Sequence, residues 1–350
     1  MGFMATASPI SGLRAGDEVD GVYACTRKDR LRTRTGSPYL ALELRDRTGT
    51  MPARAFRDAD VLAGRFDRGD IVTVRGRVER FRDELVVEVA DVRRVPQDAV
   101  EPPADATSAG LEPARGVADL RSSAAGSTAV TGTGAVPGAG AQAGIPAVRP
   151  DDFLPVAYRD MEELDGFLEH LAREVYDPQY HALLESLVDD TDLRARWRRA
   201  PCSRAGHHAY LGGLIEHTVA VATLAREVCE LHRKLNPDLL LTAAIVHDLG
   251  RCFEFTYGAE IGLTDAGRML GHVALGQRLL EQRIATVGVD SGRALALLHC
   301  VLTHHGPAAA PGGKFLSAEA LALYRINALD ASVKGVLEHG LGPGATPGAG

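Results

Sequence analysis

The chain has 350 residues, a formal net charge of −7, 45% hydrophobic residues and 24% charged residues. That length suggests two domains, and the composition excludes bulk disorder and a collagen-like repeat. No run of about 18 apolar residues occurs, and Met1 to Gly12 lacks a basic stretch followed by an apolar core, so neither a transmembrane helix nor a secretory signal is expected.

The first predicted unit runs over residues 11–96 and is strand-like. Tyr39 to Leu44 alternates, with Leu40, Leu42 and Leu44 on one face. Ile71 to Val78 places Val72, Val74 and Val78 together, and Leu85 to Val89 is a third run. Turn signals at Thr35–Pro38, Arg47–Gly49 and Arg68–Asp70 separate them. Short strands packed into about 85 residues predict a small antiparallel barrel. This unit holds 18 Lys and Arg against 15 Asp and Glu, a net of +3, so the remainder carries −10. A mildly basic module is thus joined to an acidic one.

Residues 97–152 are dominated by Pro, Ala, Gly, Ser and Thr and contain no aromatic residue. Such a segment cannot bury enough apolar surface to offset its ordering entropy, and it reads as a flexible linker. From 153 to 340 the period becomes helical. Apolar stripes mark helices over Met161–Val175, Gly213–His232, Leu270–Ile284, Arg293–His304 and Ser317–His339. Asn236-Pro237 is a start signal for a helix reaching Leu249, with Gly250 as its stop. The Gly/Pro-rich residues 341–350 read as a disordered tail. The predicted fold class is therefore β plus all-α, a small barrel followed by a helical bundle.

All 12 histidines lie in the second unit. His247-Asp248 closes an almost wholly apolar helix, His217 sits on the apolar stripe of the preceding one, and His272 opens an apolar helix. His304-His305 ends another, and Asp330 lies in an otherwise apolar stretch. A lone His-Asp pair is explained as a cap and a satisfied core group. Polar groups at the apolar positions of successive helices are costly unless they share a partner. A metal is the economical partner, and a His/Asp set without thiolate suits hydrolytic sites with Mn, Fe, Zn or Ni. The five cysteines are scattered, without a CxxC pair, and read as reduced thiols of a cytoplasmic protein.

The ordered set His217…His247-Asp248…Asp330 resembles the signature of HD-domain phosphohydrolases, and His272 with His304-His305 resembles members holding a second metal. The segment His207-His208-Ala-Tyr-Leu-Gly-Gly-Leu-Ile-Glu-His217-Thr resembles that of YhaM-type 3′→5′ exoribonucleases. The resemblance implies an OB fold for the first unit and an HD domain for the second. It also implies metal ligation by His217, His247, Asp248, His272, His304, His305 and Asp330. One or two divalent transition ions, Mn²⁺ foremost, are the expected cofactor. His247, Asp248 and Arg251 are the expected catalytic residues.

Two departures stand out. Arg251 replaces the lysine of the relatives' HDLGK; it keeps the charge and can grip a phosphate. Asn327 stands where relatives carry the first aspartate of DNLDA, three residues from Asp330 on one helix face. The carboxylate is the better cation ligand, so Asp330 is preferred over Asn327. His207 and His208 read either as phosphate-facing groups or as helix-start residues.

In the barrel, backbone contacts to a single strand are expected from Arg27, Lys28, Arg30, Arg32, Arg75 and Arg77, with Arg34, Arg80 and Arg82 as further candidates. Stacking is expected from Tyr39, with Tyr23, Phe56 and Phe81 as further platforms. An aromatic in a small barrel can equally be core. The reading is a metal-dependent phosphodiesterase acting on single-stranded RNA or DNA from the 3′ end. Two alternatives are an HD phosphohydrolase of a small nucleotide with a regulatory barrel, and a non-catalytic single-strand-binding factor.

Overall fold

A computed structural model describes residues 9–96 and 148–340. The segments 97–147 and 341–350 lie outside it, and so does most of the expected linker and all of the expected tail.

The first unit is a closed barrel of β1 (Glu18–Arg32), β2 (Pro38–Asp46), β3 (Gly49–Ala55), β4 (Ile71–Phe81) and β5 (Glu84–Arg94), in the order β1-β2-β3-β5-β4. The short helix α1 (Ala59–Ala63) precedes β4. Leu40, Leu42 and Leu44 point inward against Val72, Val74, Val78, Val87, Val89 and Val92, as strand alternation requires. β1 pairs with β2 through its end and with β4 through its start, and β3 meets β5 in parallel, which closes the ring. β1 and β3 carry weaker alternation than the three strands read from the sequence. Tyr23, expected as a stacking platform, is 2% exposed and belongs to the barrel core. Burial also pushes its hydroxyl pKa up to about 12.

The second unit is helical: α2 (Met161–Arg173), α3 (Pro178–Val188), α4 (Thr191–Arg199), α5 (Gly213–Leu231) and α6 (Pro237–Val246). It continues through the hairpin β6 (Phe255–Tyr257)–β7 (Ile261–Leu263), then α7 (Asp265–Val287), α8 (Ser291–Thr303) and α9 (Ala318–His339). Every residue of α6 from Leu239 to Val246 is buried, and all but Thr242 are apolar. A helix of that kind must be a core element. The Asn236 side chain caps it by accepting from Leu239 N–H, with Pro237 in the first turn as expected. α3 and α4 were not read from the sequence. Each starts on an Asp cap, Asp177 and Asp190, and is short, 11 and 9 residues. α7 begins five residues earlier than expected, on a Thr264 cap, and breaks at Gly271.

Val148 and Phe153 pack in one apolar cluster with Ala24, Ile71 and Val95 of the barrel and Ala259 of the β6–β7 hairpin. The last residues of the span expected as a linker are thus part of the contact between the units.

Candidate metal centre and nucleic-acid surface

The centre forms where the buried ends of helices converge. His247 caps the C-terminal end of α6, and Asp248 opens the 3-10 turn Leu249–Phe253. His217 lies one turn into α5. That turn presses on the backbone of His208: a Cβ on Gly213 would stand 2.1 Å from the His208 carbonyl oxygen. The paired glycines Gly212 and Gly213 therefore let α5 bring His217 beside His208. His272 sits on α7 just after the break, and His304-His305 follows α8.

One carboxylate divides the site in two. Asp248 Oδ2 lies 3.8 Å from His217 Nε2 and 3.7 Å from His247 Nε2. Asp248 Oδ1 lies 3.3 Å from His272 Nε2 and 3.4 Å from His304 Nε2. His305 Nε2 is 2.9 Å from His272 Nε2. Asp248 with His272, His304 and His305 forms one group able to hold a cation, and His217, His247 and Asp248 another.

The ring protons of these histidines are placed so that the remaining lone pairs fit a cation. The Nδ1 of His247 meets the Ala244 carbonyl at 2.8 Å, and the Nδ1 of His304 meets the Val301 carbonyl at 2.5 Å. Each contact uses the ring proton and leaves Nε2 as a bare lone pair. His217 Nδ1 is 2.6 Å from Asp330 Oδ2, so its Nε2 is bare as well. Two bare nitrogens, of His217 and His247, then face each other at 3.2 Å beside a carboxylate. Asp248 Oδ1 and His304 Nε2 are buried without a hydrogen-bond partner among the described residues. Such an arrangement is costly without a shared positive charge.

Burial holds the His247 imidazole well below its usual pKa, and it depresses His272 in the same way. His207 is lowered to about 4, again by burial and then by its histidine neighbours. For Asp248, burial alone would raise the pKa, but Arg251 and the imidazoles outweigh it and keep the carboxyl well below the usual range. A neutral buried imidazole makes the unfolded chain bind more protons than the folded one below about pH 6.5. The metal-free protein should therefore lose stability as pH falls through that value. A wholly buried imidazole such as His247 contributes a loss of at most about 2 kcal/mol at pH 5. A urea midpoint lower at pH 5 than at pH 7.5 is the expected result; an unchanged midpoint would mean these rings are already charged in the fold.

Several expected roles shift. Arg251 is not open to a substrate: its Nε lies 2.8 Å from Asp248 Oδ2 and its Nη1 3.2 Å from Glu254 Oε2. It is 8% exposed. Asp330 meets the outer nitrogen of His217 and, at 3.0 Å, His208 Nε2, and these three form a further group able to hold a cation. Asn327 is buried and donates to the His304 carbonyl. Three neighbours were not singled out from the sequence. Glu254 accepts from His272 N–H, and Cys202 Sγ lies 3.6 Å from Asp248 Oδ2 and 3.4 Å from His207 Nε2. Tyr210 meets His208 Nδ1 at 2.9 Å. Nothing in the local spacing of Glu254 or Cys202 marks them.

On the barrel, most of the expected cations already have partners. Arg27 pairs with Asp29, Lys28 with Asp67 and the Phe66 carbonyl, Arg30 with Asp60 and Arg75 with Asp20. Arg32 bonds the Gly36 carbonyl and Arg77 that of Gly16. Arg75 and Arg77 pair with the start of β1, whereas Arg30, Arg32 and Tyr39 sit at its end. Two aromatic contacts lie on the barrel's outer surface. Tyr39 stacks on Phe56 with ring centroids 5.4 Å apart, and Arg54 lies 4.3 Å over the exposed Phe81.

Comparison with known proteins agrees with this architecture. Residues 214–332 match the HD domain family, and residues 25–95 match the OB-fold nucleic acid binding domain family. The chain is 24% identical over 303 residues to the 3'-5' exoribonuclease YhaM of Shouchella clausii, covering 86% of this chain and 79% of that protein. It is also 24% identical over 293 residues to that of Bacillus subtilis, covering 84% of this chain and 78% of that one. Among solved structures, it resembles the second OB-fold domain of replication protein A from Methanococcus maripaludis. That likeness has 18% identity and a TM-score of 0.22, over 26% of this chain and 97% of that one. The HD domain of the L. monocytogenes phosphodiesterase PgpH matches at 16% identity and a TM-score of 0.27, over 41% of this chain and 74% of that one.

Proposed function

We infer that this chain, an OB fold followed by an HD domain, is a metal-dependent 3′→5′ exoribonuclease acting on single-stranded RNA. One observation carries the reading: Asp248 presents its two oxygens to two separate sets of imidazole nitrogens. The relatives over most of the chain bear that activity in their names.

In this reading His217, His247 and Asp248 hold one divalent cation, and Asp248, His272, His304 and His305 hold a second. A bound divalent cation supplies Lewis-acid charge to the phosphodiester and lowers the pKa of water at the site. The protein's own contribution is order. Backbone carbonyls fix the tautomers of His247 and His304, Asp330, itself bonded to His208, fixes the ring of His217, and Glu254 fixes the His272 backbone. Arg251 turns Asp248 and balances its charge, which makes it a positioning residue. The nitrogen-and-carboxylate set accepts Mn, Fe, Zn or Ni, and Mn²⁺ is the ion that the resemblance to YhaM-type exoribonucleases puts foremost. The barrel's aromatic groups and arginines bind the strand by stacking and phosphate contact. The five free cysteines suit a reducing cytoplasm. Among the described residues no helix is long and apolar enough to cross a membrane.

EDTA should abolish digestion of 5′-labelled single-stranded RNA, and Mn²⁺ should restore it as a ladder shortening from the 3′ end. Full activity in chelator would overturn the reading. A preference for a mononucleotide over the polymer would favour a small-nucleotide phosphohydrolase.

The C-terminal carboxylate gives a second test. Loss of a group that orients a ligating imidazole typically costs about 10–100-fold in metal affinity. Asp330→Ala should fall in that range, whereas Asn327→Ala, which loses only a neutral amide contact, should cost less. Metal content after dialysis measures both. The opposite ranking would make the amide the group that matters.

A further inference from the structure

The barrel is latched to the helical domain by side chains as well as by the covalent chain. Arg45 of β2 donates to the Ala259 carbonyl at the tip of the β6–β7 hairpin. Arg68 reaches Glu260 at 3.1 Å, and Arg47 meets Asp152 at 2.7 Å. The apolar cluster around Ala259 lies beneath these bonds. The hairpin is itself part of the metal centre's scaffold. β6 starts directly after Glu254, which holds the His272 backbone, and Arg204 donates to the Ile261 carbonyl of β7.

The latch and the aromatic platform lie on one face. Leu40, Leu42 and Leu44 point into the barrel, so Tyr39, Ala41, Glu43 and Arg45 share the outer face of β2. Arg45 is bound to the hairpin at one end of that face. At the other end Tyr39 stacks on Phe56, and β3 places Arg54, with Phe81 against it, beside Ala41. Tyr39 and Arg45 are six residues apart, about 20 Å along the strand. The platform therefore stands a fixed strand length away from the helical domain.

We propose that the hairpin latch makes the barrel a rigid measuring arm, so that efficient hydrolysis requires a strand long enough to span from the Tyr39–Phe56–Phe81 platform to the Asp248 centre. This rests on the exoribonuclease reading and adds a length specificity to it. The physical distinction is clear. A barrel swinging on a flexible tether would raise local substrate concentration smoothly with length. A latched barrel gives a threshold, because a strand too short for the span gains nothing from the platform. An OB fold occupies about 4 nucleotides or more, which sets a lower bound on the threshold.

The test uses the full chain with Mn²⁺ and 5′-labelled RNAs of 3 to 30 nucleotides. The wild-type protein should show kcat/KM rising at least about ten-fold within a step of two or three nucleotides, with end products clustered at that length. Arg45→Glu places a carboxylate against the Ala259 carbonyl and should abolish the step while leaving kcat/KM on the trinucleotide within about two-fold. Arg45→Lys should keep the step. Phe56→Ala should lower kcat/KM on the 30-mer about ten-fold or more. If Arg45→Glu also loses trinucleotide activity, Arg68→Glu should weaken the step and Arg68→Glu with Glu260→Arg should restore it. A wild-type protein with smooth length dependence, or latch variants that retain the step, would overturn the measuring arm. A wild-type protein that degrades no RNA of any length would instead overturn the exoribonuclease reading.

Discussion

Asp248→Asn is expected to empty the site of metal and to lower hydrolysis by at least about three orders of magnitude, with single-strand binding unchanged within about three-fold. Removing one hydrogen-bond donor that stabilises developing charge already costs about 10²–10³ in rate. Asp248 is worth more, because its two oxygens face both groups of imidazoles. Asparagine keeps the shape and one oxygen but loses the anionic charge that a divalent ion requires. Asparagine is also the informative replacement for stability. Asp248→Ala would strip the buried Arg251 of its 2.8 Å partner and leave only Glu254. Breaking a buried ion pair from one side costs about 3–5 kcal/mol. Metal content, turnover, strand binding by anisotropy and the urea midpoint together separate these effects. An asparagine variant that keeps both metal and rate would remove Asp248 from the centre.

Gly250→Ala should destabilise the protein by about 3 kcal/mol or more, at the upper end of what overpacking costs. A Cβ at this position would stand 1.9 Å from the His272 carbonyl oxygen and 2.5 Å from the Gly276 nitrogen. Both are backbone atoms of α7, so no side-chain rotation relieves the clash. The same backbone carries His272, so metal should also be lost from the group it forms with His304 and His305. Gly166→Ala in α2 is the control. Nothing lies within 4 Å of its added Cβ, and alanine in a helix interior should be neutral or stabilising by about 0.5–1 kcal/mol. Equal urea midpoints for Gly250→Ala and the parent would show that α7 can withdraw without cost. From the sequence alone Gly250 reads as a helix stop. Its larger role as the contact point between the Asp248 turn and α7 depends on a partner 22 residues away.

The same contrast runs through the molecule. Periodicity and punctuation were enough to locate the barrel, the composition shift after residue 96 and most of the helices. Apolar spacing and caps such as Asn236-Pro237 act within a few residues and are written locally. The convergence of His217, His247, Asp248, His272 and His304 was also legible, because each breaks an apolar stripe and such breaks need a common partner. What only the tertiary structure decided is the direction and company of each side chain. Arg251 reads as an open cation until Glu254 and Asp248 are seen to enclose it. Asp330 reads as a candidate ligand, and the tertiary structure sets it against the outer nitrogen of His217 and beside His208. The run Arg27 to Arg32 reads as a row of cations, and only the fold shows that acidic partners distant in sequence, Asp60 and Asp67, stand beside Arg30 and Lys28. Tyr23 and Phe56 are both aromatic, yet the fold buries Tyr23 in the barrel core and leaves Phe56, just past the end of β3, exposed. The latch through Arg45 and Ala259 joins residues 214 positions apart. Such pairings are set by the packing of whole elements, and no local spacing encodes them.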